Sequence, residues 1–229
     1  MLGVVVGIGA TVLVGALRDD KGSTSTVAST GSSSSSSSAA PLNPAGNELL
    51  GLIDRTNGAT YHARYSLLSS AANAQGASAT LETWRKAALL REDSTITSKG
   101  TVATTRDLRT ADGTISCQTL DNAATWTCKR VSSPTSDADA QITALKASLD
   151  GAAVTASDDK IAGVAVRCFH VVLAGPGTQS SGLSAEADIC LTPDGVPARQ
   201  SSGGQKIELV ALDSNVADDT FVPPAPVAS

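Results

Sequence analysis

The sequence predicts an α+β domain: a curved antiparallel sheet, a half-barrel of about seven to nine strands, with helices packed on its concave face. Three observations carry this. Period-2 alternation recurs between turn signals along most of residues 47–224. Only 47–56 and 137–149 place apolar residues at helical spacing. No strand–helix–strand alternation occurs, so a parallel sheet is not expected.

Asn47–Thr56 opens the domain, with Leu49, Leu50, Leu52 and Ile53 on one stripe and Asn57–Gly58 ending it. Thr60–Ser69 alternates Tyr61, Ala63, Tyr65 and Leu67 against a polar set that includes His62, which reads as solvated. Ala79–Arg85, Leu89–Thr97 and Val102–Arg109 follow as strands, punctuated by Gly76 and Gly100.

The pattern is clearest in Thr114–Val131. Two alternating runs flank Asp121–Asn122–Ala123–Ala124, and a turn centred between Asn122 and Ala123 sets Cys117 opposite Cys128. Ile115, Cys117, Trp126 and Cys128 then share one face. Asp137–Leu149, capped by Ser136 or Asp137 and stopped by Gly151, places Ile142, Leu145 and Leu149 on one helical stripe. Val164–Leu173 is the most apolar strand. Glu186–Leu191 and Val196–Gln200 flank the turn Pro193–Asp194–Gly195, and Lys206–Leu212 is the last strand. Phe221–Val222–Pro223–Pro224 ends the domain, because the two prolines bar further pairing.

The chain has 229 residues and a formal net charge of −5, so a basic nucleic-acid footprint is absent. Aromatics are 3%, too few for base-stacking platforms. The cysteines Cys117, Cys128, Cys168 and Cys190 form no C-x-x-C pair, and two histidines do not complete zinc spacing. An even count in strand-like segments reads as disulfides in an oxidising compartment. Of the three connectivities, the hairpin pattern favours Cys117–Cys128 and Cys168–Cys190.

Met1–Leu17 is apolar and Gly-rich; as a helix it spans roughly 25 Å. It reads as a signal-peptide core or a short membrane anchor. No cysteine precedes Cys117, so there is no lipobox. Residues 22–46, with the run Ser32–Ser38, form a Ser-rich linker that cannot bury a core. An extracytoplasmic domain over 47–224 would be held off a membrane by this linker.

The order of elements resembles the LolA/LppX-like family of cell-envelope lipoprotein and lipid carriers. The residues that carry the resemblance are the opening helix before TYHARYSL, the strands ending in SCQTLDNAATWTC, the single internal helix, IAGVAVRCFHV, CLTPDGVPARQ and the exit DDTFVPP. The resemblance implies a half-open barrel that holds an acyl chain between sheet and helices. Leu49, Leu52, Ile53, Ile115, Trp126, Ile142, Leu145, Val164 and Val166 would line that space. The same residues read more simply as an ordinary packed core, which leaves a ligand-free tethered interaction or sensor domain as the alternative.

No enzyme is expected. His170 faces Asp188 if Cys168 pairs with Cys190, with Ser180, Ser181 and Ser184 between, but no nucleophile elbow accompanies them. A cross-strand His–Asp pair is the simpler account. Gly175–Pro176–Gly177 is no phosphate loop. Asp158, Asp159, Asp218 and Asp219 lack EF-hand spacing and read as turn caps. Trp84 and Trp126 read as core. Neither a cofactor nor a metal is implied; the expected partners are a membrane, through the N-terminal segment, and a lipid or acyl chain.

Overall fold

The structure, a computed structural model, describes residues 43–69, 77–121, 123, 125–132, 149, 151–173 and 186–228. The N-terminal segment, residues 22–42 of the Ser-rich linker and most of the helix expected over 137–149 lie outside the described residues, whereas residues 43–46, read as linker, cap and open the first helix.

Helix α1 spans Pro44–Thr56 and starts three residues before the expected Asn47. The reason is local. The Asn43 side chain caps it by accepting from the Gly46 amide at 2.8 Å, and Pro44 occupies the first turn, where no amide donor is required. Asn43 Nδ2 also donates to the Val154 carbonyl at 2.8 Å, which pins the helix start to the sheet.

Twelve strands follow: β1 Thr60–Ser69, β2 Ser78–Lys86, β3 Leu89–Ser98, β4 Thr101–Thr110, β5 Gly113–Leu120, β6 Thr127–Ser132, β7 Ala153–Ile161, β8 Val164–Val172, β9 Glu186–Leu191, β10 Pro197–Ser202, β11 Gln205–Asp213 and β12 Val227–Ala228. They form one open sheet in the order β12-β6-β5-β4-β3-β2-β1-β11-β10-β9-β8-β7. Two meanders, β1–β6 and β7–β11, are joined where β1 pairs with β11. All pairs are antiparallel except β12 with β6. The sheet bends far enough for the edge strand β7 to touch β11.

Twelve strands among the described residues exceed the seven to nine expected. Strand β7 reads as turn material in the sequence because Ser157–Lys160 is polar, and only Val154 and Ile161 are buried within it. Asp158 and Asp159 therefore sit in a strand and do not cap a turn. Pairing with β8 over its whole length, from Ala153↔Val172 to Ile161↔Val164, makes the strand despite its composition. Strand β12 corrects a second reading. Pro223 and Pro224 do not end pairing, since three residues later Val227 and Ala228 align with Cys128 and Lys129.

The buried side chains form three groups. One joins Tyr61, Ala63, Tyr65, Leu81, Ile207 and Leu209 to Ile161, Val166, Cys190 and Val196. A second packs Leu49 and Leu52 of α1, with Leu149, on Val154, Phe169, Val171, Ile189 and Leu191. A third holds Leu108, Ile115, Cys117 and Cys128, against which Trp126, Ala225 and Val227 rest. Along β8 the groups alternate: Val166 and Cys168 join the first, Phe169 and Val171 the second. A strand buried on both faces reads as one apolar run, as VAVRCFHVV does.

Candidate functional site

The residues expected to line one cavity do not meet in one place. Leu49, Leu52 and Ile53 belong to the α1 group, where Leu49, Leu149 and Phe169 are fully buried against one another. Ile115 and Trp126 lie with the Cys117–Cys128 disulfide in the far meander. Val166 is in the first core group. Ile142 and Leu145 lie outside the described residues. Among the described residues of the set, Val164 alone lines the open cleft described below.

That cleft is at the end of the sheet and measures about 670 Å³, within the usual range of small-molecule sites. It is built where the C-terminus of α1 meets the turn between β9 and β10. Pro193–Asp194–Gly195 forms that turn: the Gly195 amide donates to the Thr192 carbonyl at 2.8 Å, and the Val196 amide to Thr192 Oγ1 at 3.0 Å. The turn is then fastened to the helix. Thr56 Oγ1 donates to the Gly195 carbonyl at 2.6 Å and Arg55 Nη1 to the Pro193 carbonyl at 3.0 Å. Gly195 has φ +81°, and a Cβ there would stand 2.2 Å from the Leu52 carbonyl oxygen. Only glycine fits at that approach.

The apolar part of the cleft wall includes Val164 at the start of β8, Val196, Leu212 at the end of β11, and Tyr61, beside the polar Thr60, Thr192 and Ser214. Burial pushes the Tyr61 hydroxyl up to about 12, and nearby Glu92 adds to this against the opposing pull of Arg85. Tyr61 is therefore a neutral ring throughout the physiological range. The ionisable groups at the rim are Arg55, Asp194 and Asp213. The signals for both turns, Asn57–Gly58 and Pro193–Gly195, are legible in the sequence; their meeting is not.

A second constellation crosses the opposite meander. Register places His62, Trp84, Arg91, Asp93, Arg106 and Cys117 on one face of β1 to β5. His62 stacks on Trp84 with ring centroids 4.6 Å apart and planes 6° apart. The Arg91 guanidinium lies 4.2 Å from the Trp84 ring centre, and that of Arg106 4.8 Å from Trp126. Asp93 bridges the two arginines, at 2.6 Å from Arg91 and 2.8 Å from Arg106. Burial alone would raise the Asp93 carboxyl; hydrogen bonds from Arg91 and Arg106 outweigh it and hold the group below its ordinary range. The C-terminal segment is laid over this row: Arg91 donates to the Thr220 carbonyl at 3.2 Å and Lys86 pairs with Asp218.

His62 is thus not simply solvated, as alternation suggests. It is 2.9 Å from Glu82 and 3.4 Å from Asp213, and its side chain is 21% exposed. Trp84 and Trp126 are half-buried parts of the same row.

His170 Nδ1 lies 2.8 Å from Asp188, and Ser201 donates to the other carboxylate oxygen at 2.9 Å. The hydrogen bond from His170, then that from Ser201, holds the Asp188 carboxyl below its usual range. The carboxylate sits between Ser201 and His170, so this serine is not placed against the imidazole as a nucleophile requires. Ser180, Ser181 and Ser184 lie outside the described residues.

Cys117 is bonded to Cys128 and Cys168 to Cys190, each pair in direct register, and no cysteine is free. Two such cross-strand disulfides fit an extracytoplasmic location. Among the described residues no helix is long and apolar enough to cross a membrane, and no group of three or more His, Cys, Asp or Glu residues is placed to hold a metal.

No protein-family model matches the chain, and no curated protein does. The solved structures to which the chain shows similarity are distant. MucB in its complex with MucA(peri) is 13% identical with a TM-score of 0.44, over 78% of this chain and 59% of that one. An uncharacterized conserved protein from Thermus thermophilus is 11% identical with a TM-score of 0.46, over 80% and 97%. PNGF-II is 10% identical with a TM-score of 0.32, over 73% and 30%. The chain therefore spans about three-fifths of the MucB chain, and none of these likenesses assigns it to a family.

Proposed function

We propose that the chain is a non-catalytic extracytoplasmic domain, membrane-tethered or secreted, that binds a lipid or other hydrophobic ligand in the cell envelope. The observation that supports this is the open cleft of about 670 Å³ with Val164, Val196, Leu212 and the Tyr61 ring on its wall. Its place is the end of the sheet and not the space between helix and sheet, where Leu49, Leu149 and Phe169 are packed closed. The two disulfides support the compartment, and the Ser-rich segment of residues 22–42 would provide the reach from a membrane. The test is native mass spectrometry of the full chain produced in an oxidising host, wild type beside Leu212→Arg. Wild-type protein should carry co-purified lipid and the variant should not. Two ligand-free spectra would reject the reading.

That closed helix–sheet packing favours a second reading, a tethered interaction or sensor domain with no small ligand. It would gain support from a ligand-free wild type that nonetheless unfolds cooperatively.

A further inference from the structure

We infer that the ligand of the end cleft carries a positive charge at one end of an apolar stem, as an alkylammonium amphiphile does. This rests on the reading of the cleft as a hydrophobic binding site and adds the sign of the head group.

The stem is matched by Val164, Val196, Leu212 and the neutral Tyr61 ring. The head group is set by the rim. Three charged side chains stand there: Arg55, Asp194 and Asp213. Arg55 lies in the last turn of α1, where the unpaired carbonyls make a partial negative charge, and its guanidinium also donates to the Pro193 carbonyl. Its charge is thus largely answered within the fold. The carboxylates are not answered to the same degree. Asp194 is exposed at the tip of its turn and makes no hydrogen bond or ion pair among the described residues. Asp213 accepts from the Asn215 amide at 2.8 Å and lies 3.4 Å from His62, a partner that is cationic only when protonated. Two carboxylates and a helix C-terminus against one engaged arginine leave the mouth of the cleft negative. An anionic head group would meet both aspartates, with only the already engaged Arg55 to receive it.

The experiment uses the full oxidised chain and three ten-carbon probes below their aggregation limits: decylammonium, decanol and decanoate, measured by titration calorimetry. Decylammonium should bind about tenfold more tightly than decanoate, with decanol between, and the ratio should narrow as salt is raised. Asp194→Asn should cut the ratio to about threefold without weakening decanol. Val164→Arg should abolish binding of all three. Decanol binding with no preference between the charged probes would overturn the charge inference and leave the hydrophobic site standing. Binding of none would remove the site itself and the inference with it. Undiminished binding to a folded Val164→Arg would place the ligand elsewhere and overturn the assignment; if that variant does not fold, Asp194→Asn still decides the charge.

Discussion

Replacing Gly195 by alanine tests how the cleft is held together. Gly195 has φ +81°, so a side chain there costs about 1–2 kcal/mol in backbone strain alone. The new Cβ would also stand 2.2 Å from the Leu52 carbonyl oxygen and 2.8 Å from the Thr56 amide nitrogen. Both are backbone atoms and cannot swing aside, so the turn must lift from the helix. Lifting it sacrifices the Thr56–Gly195 and Arg55–Pro193 hydrogen bonds, at about 1 kcal/mol each. The expected loss is about 3–4 kcal/mol. Gly163 gives the control: φ is +82° and nothing lies within 4 Å of its Cβ position. Gly163→Ala should cost about 1–2 kcal/mol, the strain without the clash. Each kcal/mol lowers Tm by about 2–4 °C in a domain of this size, so thermal unfolding under oxidising conditions separates the two. Equal losses would refute the claim that the β9–β10 turn is clamped against α1.

Asp93→Asn should destabilise by about 3–5 kcal/mol, because Arg91 and Arg106 would keep their charges with no carboxylate between them; urea unfolding measures it. The Asp93 carboxyl is depressed in the folded state, so its contribution is fully present above about pH 4 and is lost as pH falls through the lower folded value. The acid limb of the wild-type stability curve should flatten in Asp93→Asn. Reduction should remove about 3 kcal/mol per disulfide, since the bonds join residues 11 and 22 positions apart; unfolding with and without reductant reads this, and peptide mapping should find no Cys117–Cys168 or Cys117–Cys190 linkage. Leu49→Ala should cost about 2–5 kcal/mol, as its side chain is fully buried in the α1 group.

What is legible in the sequence is what short-range pattern decides. Thr60–Ser69 and Glu186–Leu191 match their alternating runs residue for residue. Symmetry about the turn aligns Cys117 with Cys128 without help from any tertiary contact. The failures have equally definite causes. Strand β7 lies at an edge, where charged residues guard against unwanted pairing, so composition and conformation part company there. His62 reads as solvated because alternation gives the side of the sheet and nothing of what covers it. Stacking on Trp84 and the overlying C-terminal segment depend on contacts far along the chain.

The misplacement of the site follows from the same limit. Alternation along β8 separates Val164 and Val166 from Phe169 and Val171, but both sets are apolar and nothing local says which set meets the helix. The structure gives that contact to Phe169 and Val171. Val166 goes to the other core group, and Val164, at the hairpin tip, is left to the cleft. The choice is made by the pairing of β1 with β11, which brings the two meanders together and carries Tyr61 and Leu212 to the tip of the β7–β8 hairpin. A site formed by long-range strand pairing leaves no contiguous motif. Its trace in the sequence is two ordinary turns, Asn57–Gly58 and Pro193–Gly195, lying far apart in the chain and fastened together by Arg55 and Thr56.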